Sequence, residues 1–192
     1  DTFGLRPYFK DVLEAPGTTL FHLNDDEADV ALTTYPMLQV VTTGNPMWEK
    51  FFFPKFTRDA VRERLGISEG VKVVLCPGGK DAAINILHFT RAVEEFPCAH
   101  SKTVVILSLH GGDKTDPLVY TTLKDYAPLG VIVKIIPSKE MSGSDILPGV
   151  DLVYASASTF EIEAVCQRIP VASYISSIAR RRLRKTTGND VW

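Results

Sequence analysis

The chain has 192 residues, 45% of them hydrophobic and 23% charged, and its 21 basic and 23 acidic side chains leave a formal charge of −2. This is the composition of a globular protein with one sizeable core, and it excludes a broadly basic nucleic-acid-binding surface. No apolar run reaches the roughly 18 residues that a membrane helix needs, and no basic-then-apolar leader opens the chain.

The first 65 residues follow no regular repeat. Asp1 to Pro16 is irregular, and Thr19–Leu23 and Gln39–Thr42 read as short strands flanking a short helix over Asp25–Leu32. After Thr43-Gly44-Asn45-Pro46, the stretch Met47–Phe56 places Trp48 and four phenylalanines in ten residues, interrupted by Pro54. A helix with Thr57 as N-cap runs to Leu65 and stops at Gly66. Such a lead-in has no core of its own. Residues 1–46 are therefore expected to be the tail of an amino-terminal domain and its linker, and residues 47–192 a second domain, truncated at its end.

Strand and helix patterns then alternate. Val71–Cys76 is a strand ending in Pro77-Gly78-Gly79, followed by helical spacing over Asp81–Glu95 through Ala83, Ile84, Leu87 and Ala92. Thr103–Leu109 is a second strand, ending in His110-Gly111-Gly112. Leu118–Tyr126 reads as a helix, Val131–Ile136 as a third strand and Asp151–Ala155 as a fourth. A Ser/Thr-rich turn then opens a helix carrying Glu163, and Val171–Ile175 is a further strand. Near-continuous Val/Ile/Leu strands between helices imply a parallel sheet covered on both faces. With right-handed crossovers, the fold class is α/β, a Rossmann-like three-layer sandwich.

The candidate site residues lie at the carboxyl ends of these strands, where open α/β sheets bind ligands. Ser156, Ser158 and Thr159 begin a helix whose dipole favours an anion, and Glu163 follows Thr159 by one turn on the same face. The plainer alternative is an N-cap with a capping glutamate. Gly78 and Gly79 free the backbone for close approach to phosphate and Lys80 adds charge, although a tight turn into a helix capped by Asp81 explains them equally well. The spacing is not that of a Walker A loop. His110 is placed to touch a base or phosphate, or to be an exposed loop residue.

Ser138–Gly149 is a polar loop with a short helix at Asp145-Ile146-Leu147. The run from Arg180 to Lys185 is either a solvated helical face or an anion contact through Arg180 and Arg181. Cys76, Cys98 and Cys166 lack metal or redox spacing and read as buried reduced thiols of a cytosolic protein. His22, His88 and His100 have no ligand spacing, so no metal site is expected.

In their order, Thr43-Gly44-Asn45-Pro46, Arg64-Leu65-Gly66-Ile67, the strand ending in Gly78-Gly79, and Ser158-Thr159 with Glu163 seven residues before Pro170 resemble a known group. Over residues 22–192 the chain is similar to the carboxyl-terminal half of GT-B glycosyltransferases. The relatives in view are lipid-A-disaccharide synthase, the MurG-type N-acetylglucosaminyltransferase and the non-hydrolysing UDP-N-acetylglucosamine 2-epimerases. Ala157-Ser158-Thr159 departs from the group's small-Gly-Thr pattern.

The resemblance implies a nucleotide-sugar-binding half of an enzyme that transfers a hexosyl group from a UDP-sugar. It implies donor phosphates at Gly78, Gly79, Ser158 and Thr159, with Lys80 and Ser156 beside them, a ribose contact at Glu163, and the base beside Ser138–Gly149. His110 joins this nucleotide site as a base or phosphate contact. It also implies no cofactor. Its catalytic residues belong to a missing amino-terminal Rossmann-like domain, so this chain alone would bind without catalysing. The expected location is cytoplasmic or membrane-peripheral, and the aromatic stretch Trp48–Phe56 is expected to bury against the missing domain or in a homodimer. An epimerase half-site, or a non-catalytic interaction domain that keeps the fold, remain alternatives.

Overall fold

The structure is a computed structural model that describes residues 17–22, 24–44, 46–78, 102–111, 117–125, 127, 130–155 and 158–174. The chain divides into two compact units, one spanning Phe51–Ile175 and the other containing the described residues from Gly17 to Lys50. The helix expected over Asp81–Glu95 lies outside the described residues, as do Cys98, His88 and His100.

In the smaller unit, β1 (Thr19–His22) and β2 (Gln39–Thr42) pair in parallel, with Thr19 opposite Gln39 and His22 opposite Thr42. The connecting helix α1 (Asp25–Thr34) buries Ala28 and Ala31 and leaves Val30 and Leu32 exposed. A 3-10 turn over Pro46–Phe52 follows. Proline spacing and crowded aromatic rings disfavour a longer helix here.

The larger unit is built on five parallel strands: β3 (Lys72–Pro77), β4 (Thr103–Leu109), β5 (Val131–Pro137), β6 (Leu152–Ala155) and β7 (Val171–Ser173). Their order across the sheet is β5-β4-β3-β6-β7. Strand periodicity explains why the central sequences are apolar throughout. Val73 and Leu75 of β3, with Val104 and Ile106 of β4, face one core, while Val74, Cys76, Val105 and Leu107 face the other. This is a Rossmann-like sheet.

The first core is the larger and takes in Val61 of α2 (Arg58–Arg64), Ile146 of α4 (Gly143–Ile146) and Ala164 of α5 (Thr159–Cys166). The second takes in Tyr120 of α3 (Pro117–Asp125). Thr57 caps α2 as expected, its Oγ1 accepting from the Ala60 N–H at 3.3 Å, and Gly66 follows the helix at φ +62°. Cys76 lies in the second core, where burial pushes its thiol well above the ordinary cysteine range and so holds it protonated. Cys166 is half-buried, less enclosed than expected.

At the amino end of the sheet a polar network ties α2 to the strands. Arg62, only 8% exposed, donates from Nε to the Gly149 carbonyl (3.0 Å), from Nη1 to the Val71 carbonyl (3.1 Å) and from Nη2 to Asp151 Oδ2 (2.9 Å). Arg58 donates to the Val150 carbonyl (2.9 Å) and to Asp151 Oδ1 (2.6 Å), and the Val73 N–H donates to Asp151 Oδ2 at 2.8 Å. Partial burial opposes ionisation of Asp151. The Val73 N–H and the two guanidinium groups outweigh it and hold the carboxyl below its ordinary range. Gly149 lets α2 sit against this corner, because a Cβ there would lie 2.5 Å from Val61 Cγ1.

Helix α5 ends with Arg168 N–H donating to the Val165 carbonyl and Ile169 N–H to the Ala164 carbonyl, both at 2.9 Å. Arg168 occupies the left-handed position after the cap, at φ +59°, where glycine is favoured. Replacing it with glycine is expected to stabilise the chain by about 0.5–1 kcal/mol, the relief of Cβ strain exceeding glycine's added unfolded-state entropy. A denaturant midpoint that rises checks this. A fall would mean that the arginine side chain contributes more than its backbone strain costs.

Candidate functional site

The strand order places the candidate site. From β3 the chain builds outward through β4 to β5, then returns to the other side of β3 for β6 and β7. The loops leaving β3 and β6 therefore depart in opposite directions, and the carboxyl ends of these neighbouring strands form the switch point where such sheets hold ligands. Gly78 follows β3 there, and Ser158 stands at the start of α5 after β6.

Gly78 is required by close approach of backbones. Its N–H donates to the Ser108 carbonyl at 2.6 Å, and a Cβ would lie 2.7 Å from that oxygen and 3.3 Å from Leu109 Cα. The glycine thus fits against β4, whatever else it does. His110 is exposed at the carboxyl end of β4, next to β3 in the sheet. Gly79, Lys80, Ser156, Arg180 and Arg181 lie outside the described residues.

Ser158 caps α5. Its Oγ accepts from the Phe160 N–H at 3.2 Å, and its own N–H donates to Glu161 Oε1 at 3.2 Å, closing a capping box. The capping carboxylate is therefore Glu161, three residues past the cap, and not Glu163. The N-cap of the plainer alternative is present, but its glutamate is not Glu163, which lies two residues beyond Glu161 and so projects from nearly the opposite side of the helix, away from the cap. Thr159 is exposed at the first helical position. The Ser158–Glu161 pair leaves Thr159 as the outward-facing hydroxyl at this helix start.

Glu163 is 6% exposed and accepts a hydrogen bond from Ser144 Oγ at 3.0 Å. Ser144 belongs to α4, in the polar loop between β5 and β6. That loop is itself organised: the Asp145 N–H donates to Ser142 Oγ (3.1 Å), and Ser142 Oγ donates to Asp145 Oδ2 (2.8 Å). A Cβ on Gly143 would lie 3.0 Å from Phe160 Cε2 and 3.3 Å from Ser108 Oγ. Gly143 thus lets the loop approach both α5 and β4. The short helix expected at Asp145-Ile146-Leu147 is present as α4 and a 3-10 turn over Leu147–Gly149.

On the other sheet face near this rim, the rings of Tyr154 and Tyr174 stack with centroids 4.8 Å apart. Burial pushes the Tyr174 hydroxyl up, and the neighbouring Tyr154, Cys76 and Glu161 push the same way, so this phenol stays protonated.

Sequence reasoning singled out Gly78, His110, Ser158, Thr159 and Glu163, and all lie at carboxyl ends of strands or on α5. It missed Ser108, Ser144 and Glu161. The spacing Ser158-x-x-Glu161 was the available signal for the last. No local motif signals Ser144, because its partner is 19 residues away on another helix.

An open groove of about 700 Å³ lies at the opposite end of the sheet and is lined by Phe52, Phe56, Arg58, Asp151, Cys166 and Arg168, among others. Among the described residues, none of the expected site residues lines it. Among the described residues, no cluster of three His, Cys, Asp or Glu side chains is placed to hold a metal, and no helix is long and apolar enough to cross a membrane.

Neither protein-family models nor curated proteins give a match to this chain. Among solved structures it is similar to a glycosyltransferase from Rickettsia africae ESF-5, with 12% sequence identity and a TM-score of 0.53. The alignment covers 89% of this chain and 48% of the other, so the chain spans about half the length of that protein. The likeness is one of fold, and the chain has a glycosyltransferase-like α/β fold.

Proposed function

We propose that the chain is the nucleotide-sugar-binding half of a GT-B glycosyltransferase that transfers a hexosyl group from a UDP-sugar. The observation that supports this reading is that Gly78 closes β3 and the capped start of α5 follows β6, on the two sides of the switch point, with the buried Glu163 on that same helix. A diphosphate at the start of α5 meets the N–H and hydroxyl of Thr159, with the helix dipole in its favour. Glu161 already occupies the Ser158 N–H and the Ser108 carbonyl the Gly78 N–H, so Gly78 serves by letting the phosphate approach closely, and Lys80 supplies the remaining charge. Glu163 accepts from the ribose hydroxyls. The chain's share of catalysis is to stabilise negative charge on the departing diphosphate, while the reacting groups come from an amino-terminal Rossmann-like domain.

Calorimetric titration of the chain with UDP and UDP-N-acetylglucosamine tests the reading. Glu163→Ala is expected to weaken binding about tenfold, or about 1.4 kcal/mol, the scale of a lost charged hydrogen bond. ADP, which offers the same diphosphate on another base, serves as the comparison. Absence of uridine nucleotide binding by the intact chain would overturn the claim that this half binds alone.

A further inference from the structure

We infer that the open groove at the amino end of the sheet is a docking site for an acidic peptide segment of a partner protein, one that also carries apolar side chains, with Arg168 as the anchoring cation. The groove brings Phe52, Phe56, Pro148 and Pro170 together with Arg58 and Arg168. Phe52 is 57% exposed and its neighbour Phe53 is 74% exposed, so large apolar rings stand in solvent beside the groove. Lys55, its Nζ 5.0 Å from the centre of the Phe56 ring, adds a further cation there. None of the described nucleotide-site residues lines the groove, so this inference stands apart from that reading.

Charge decides the occupant. Asp151 is the one carboxylate among the described lining residues, and its oxygens already accept from Arg58, Arg62 and the Val73 N–H. Among the described residues, no carboxylate pairs with the exposed Arg168. The groove therefore presents unmatched positive charge beside apolar surface, and a segment with both acidic and apolar side chains complements it. The half-buried Gln167 carboxamide bonds to no described residue either, and its paired donor and acceptor match a peptide unit, which a simple anion does not offer. Arg168 is also a residue its backbone disfavours. At φ +59° it fills a position where glycine costs less, fixed there by the 2.9 Å bonds of its own N–H and of the Ile169 N–H back into α5. That strain is tolerated for what the side chain does.

The experiment titrates the full chain with capped, fluorescent octapeptides of alternating glutamate and leucine, alternating lysine and leucine, and alternating glutamate and serine, and with phosphatidylglycerol vesicles. The glutamate–leucine peptide is expected to bind with a Kd of about 100 µM or tighter, and each of the other peptides at least about tenfold more weakly. Arg168→Gly, whose denaturant midpoint is expected to rise, should weaken that binding about tenfold, and Phe52→Ser about threefold. Saturating peptide should also slow alkylation of Cys166, which lines the groove, by about threefold or more, read by mass mapping of the labelled chain.

An Arg168→Gly chain that stays folded and binds the glutamate–leucine peptide unchanged overturns the proposal. Equal binding of the lysine–leucine peptide also overturns it, since apolar contact without choice of charge predicts that pattern. Binding that leaves Cys166 alkylation unchanged places the peptide elsewhere and overturns it as well. No binding of the glutamate–leucine peptide at about 1 mM rejects a peptide groove, and uptake by the vesicles in that case would assign the exposed phenylalanines to a membrane surface instead.

Discussion

Arg62→Ala is expected to lower the stability of the chain by about 3–5 kcal/mol, the range for removing one partner of a buried, hydrogen-bonded ion pair. The guanidinium is nearly enclosed and serves three acceptors on two segments: the Val71 carbonyl before β3, and the Gly149 carbonyl and Asp151 before β6. Its loss orphans two backbone carbonyls and leaves a void beside Val61. Arg62→Lys should recover less than half, because an ammonium cannot span three acceptors held in a planar fork.

The same network makes stability depend on pH, with a definite sign. Asp151 has a lowered folded-state value, so its contribution is fully present above the ordinary aspartate range and is lost as pH falls through the folded value. Acid destabilisation from this source therefore begins near pH 4 and deepens below it. In Arg62→Ala that acid loss should shrink, since one cause of the lowering is gone. Denaturant midpoints at neutral pH and at about pH 3 check both statements, and a neutral-pH loss under about 1 kcal/mol would show that the network contributes little net stability.

Gly78→Ala is the second large effect, at about 2–3 kcal/mol, from overlap in a place that has no slack. The added carbon would sit 2.7 Å from a backbone oxygen of the neighbouring strand, not from the end of a flexible side chain. Relief requires the end of β3 to move away from β4, which also shifts Gly78 at the candidate site. Nucleotide affinity should therefore fall along with stability. Gly66→Ala is the matched control: its φ is +62° and nothing lies within 4 Å of the added carbon, so it should cost only the dihedral term of about 1 kcal/mol. If the two substitutions prove equally mild, close approach at Gly78 is not what requires glycine.

The strands of the larger unit were legible because burial on both faces forces continuous apolar runs, and β4 coincides with the expected Thr103–Leu109. Edges were less so. Asp151, expected as the first residue of a strand, turns its carboxylate to two arginines just before β6, and β7 closes at Ser173, two residues earlier than expected. The cap at Thr57 and the stop at Gly66 are local chemistry and could be read locally.

What could not be read is cooperation over distance. Arg62 finds Asp151 across 89 positions and Ser144 finds Glu163 across 19, and neither pair has a spacing that any helix or turn would impose. At the candidate site the strand ends were visible in sequence. The assignment of one glutamate to the helix cap and the other to the interior required knowing which way α5 faces.

The position of β3 has a consequence for how the chain is made. This strand lies at the middle of the sheet, yet the residues that close its second edge come late: Asp151, which receives the Val73 N–H, lies 78 positions further along. At roughly 5–20 residues per second, a ribosome needs about 4–16 s to deliver them. During that interval Val73, Val74, Leu75 and Cys76 are already synthesised, with one unpaired edge of an apolar strand open to any other chain. The centre of this fold is thus the first part of the sheet to be born and among the last to be sheltered, and crowded synthesis or slowed translation between β5 and β6 is where the nascent chain is most exposed to mispairing.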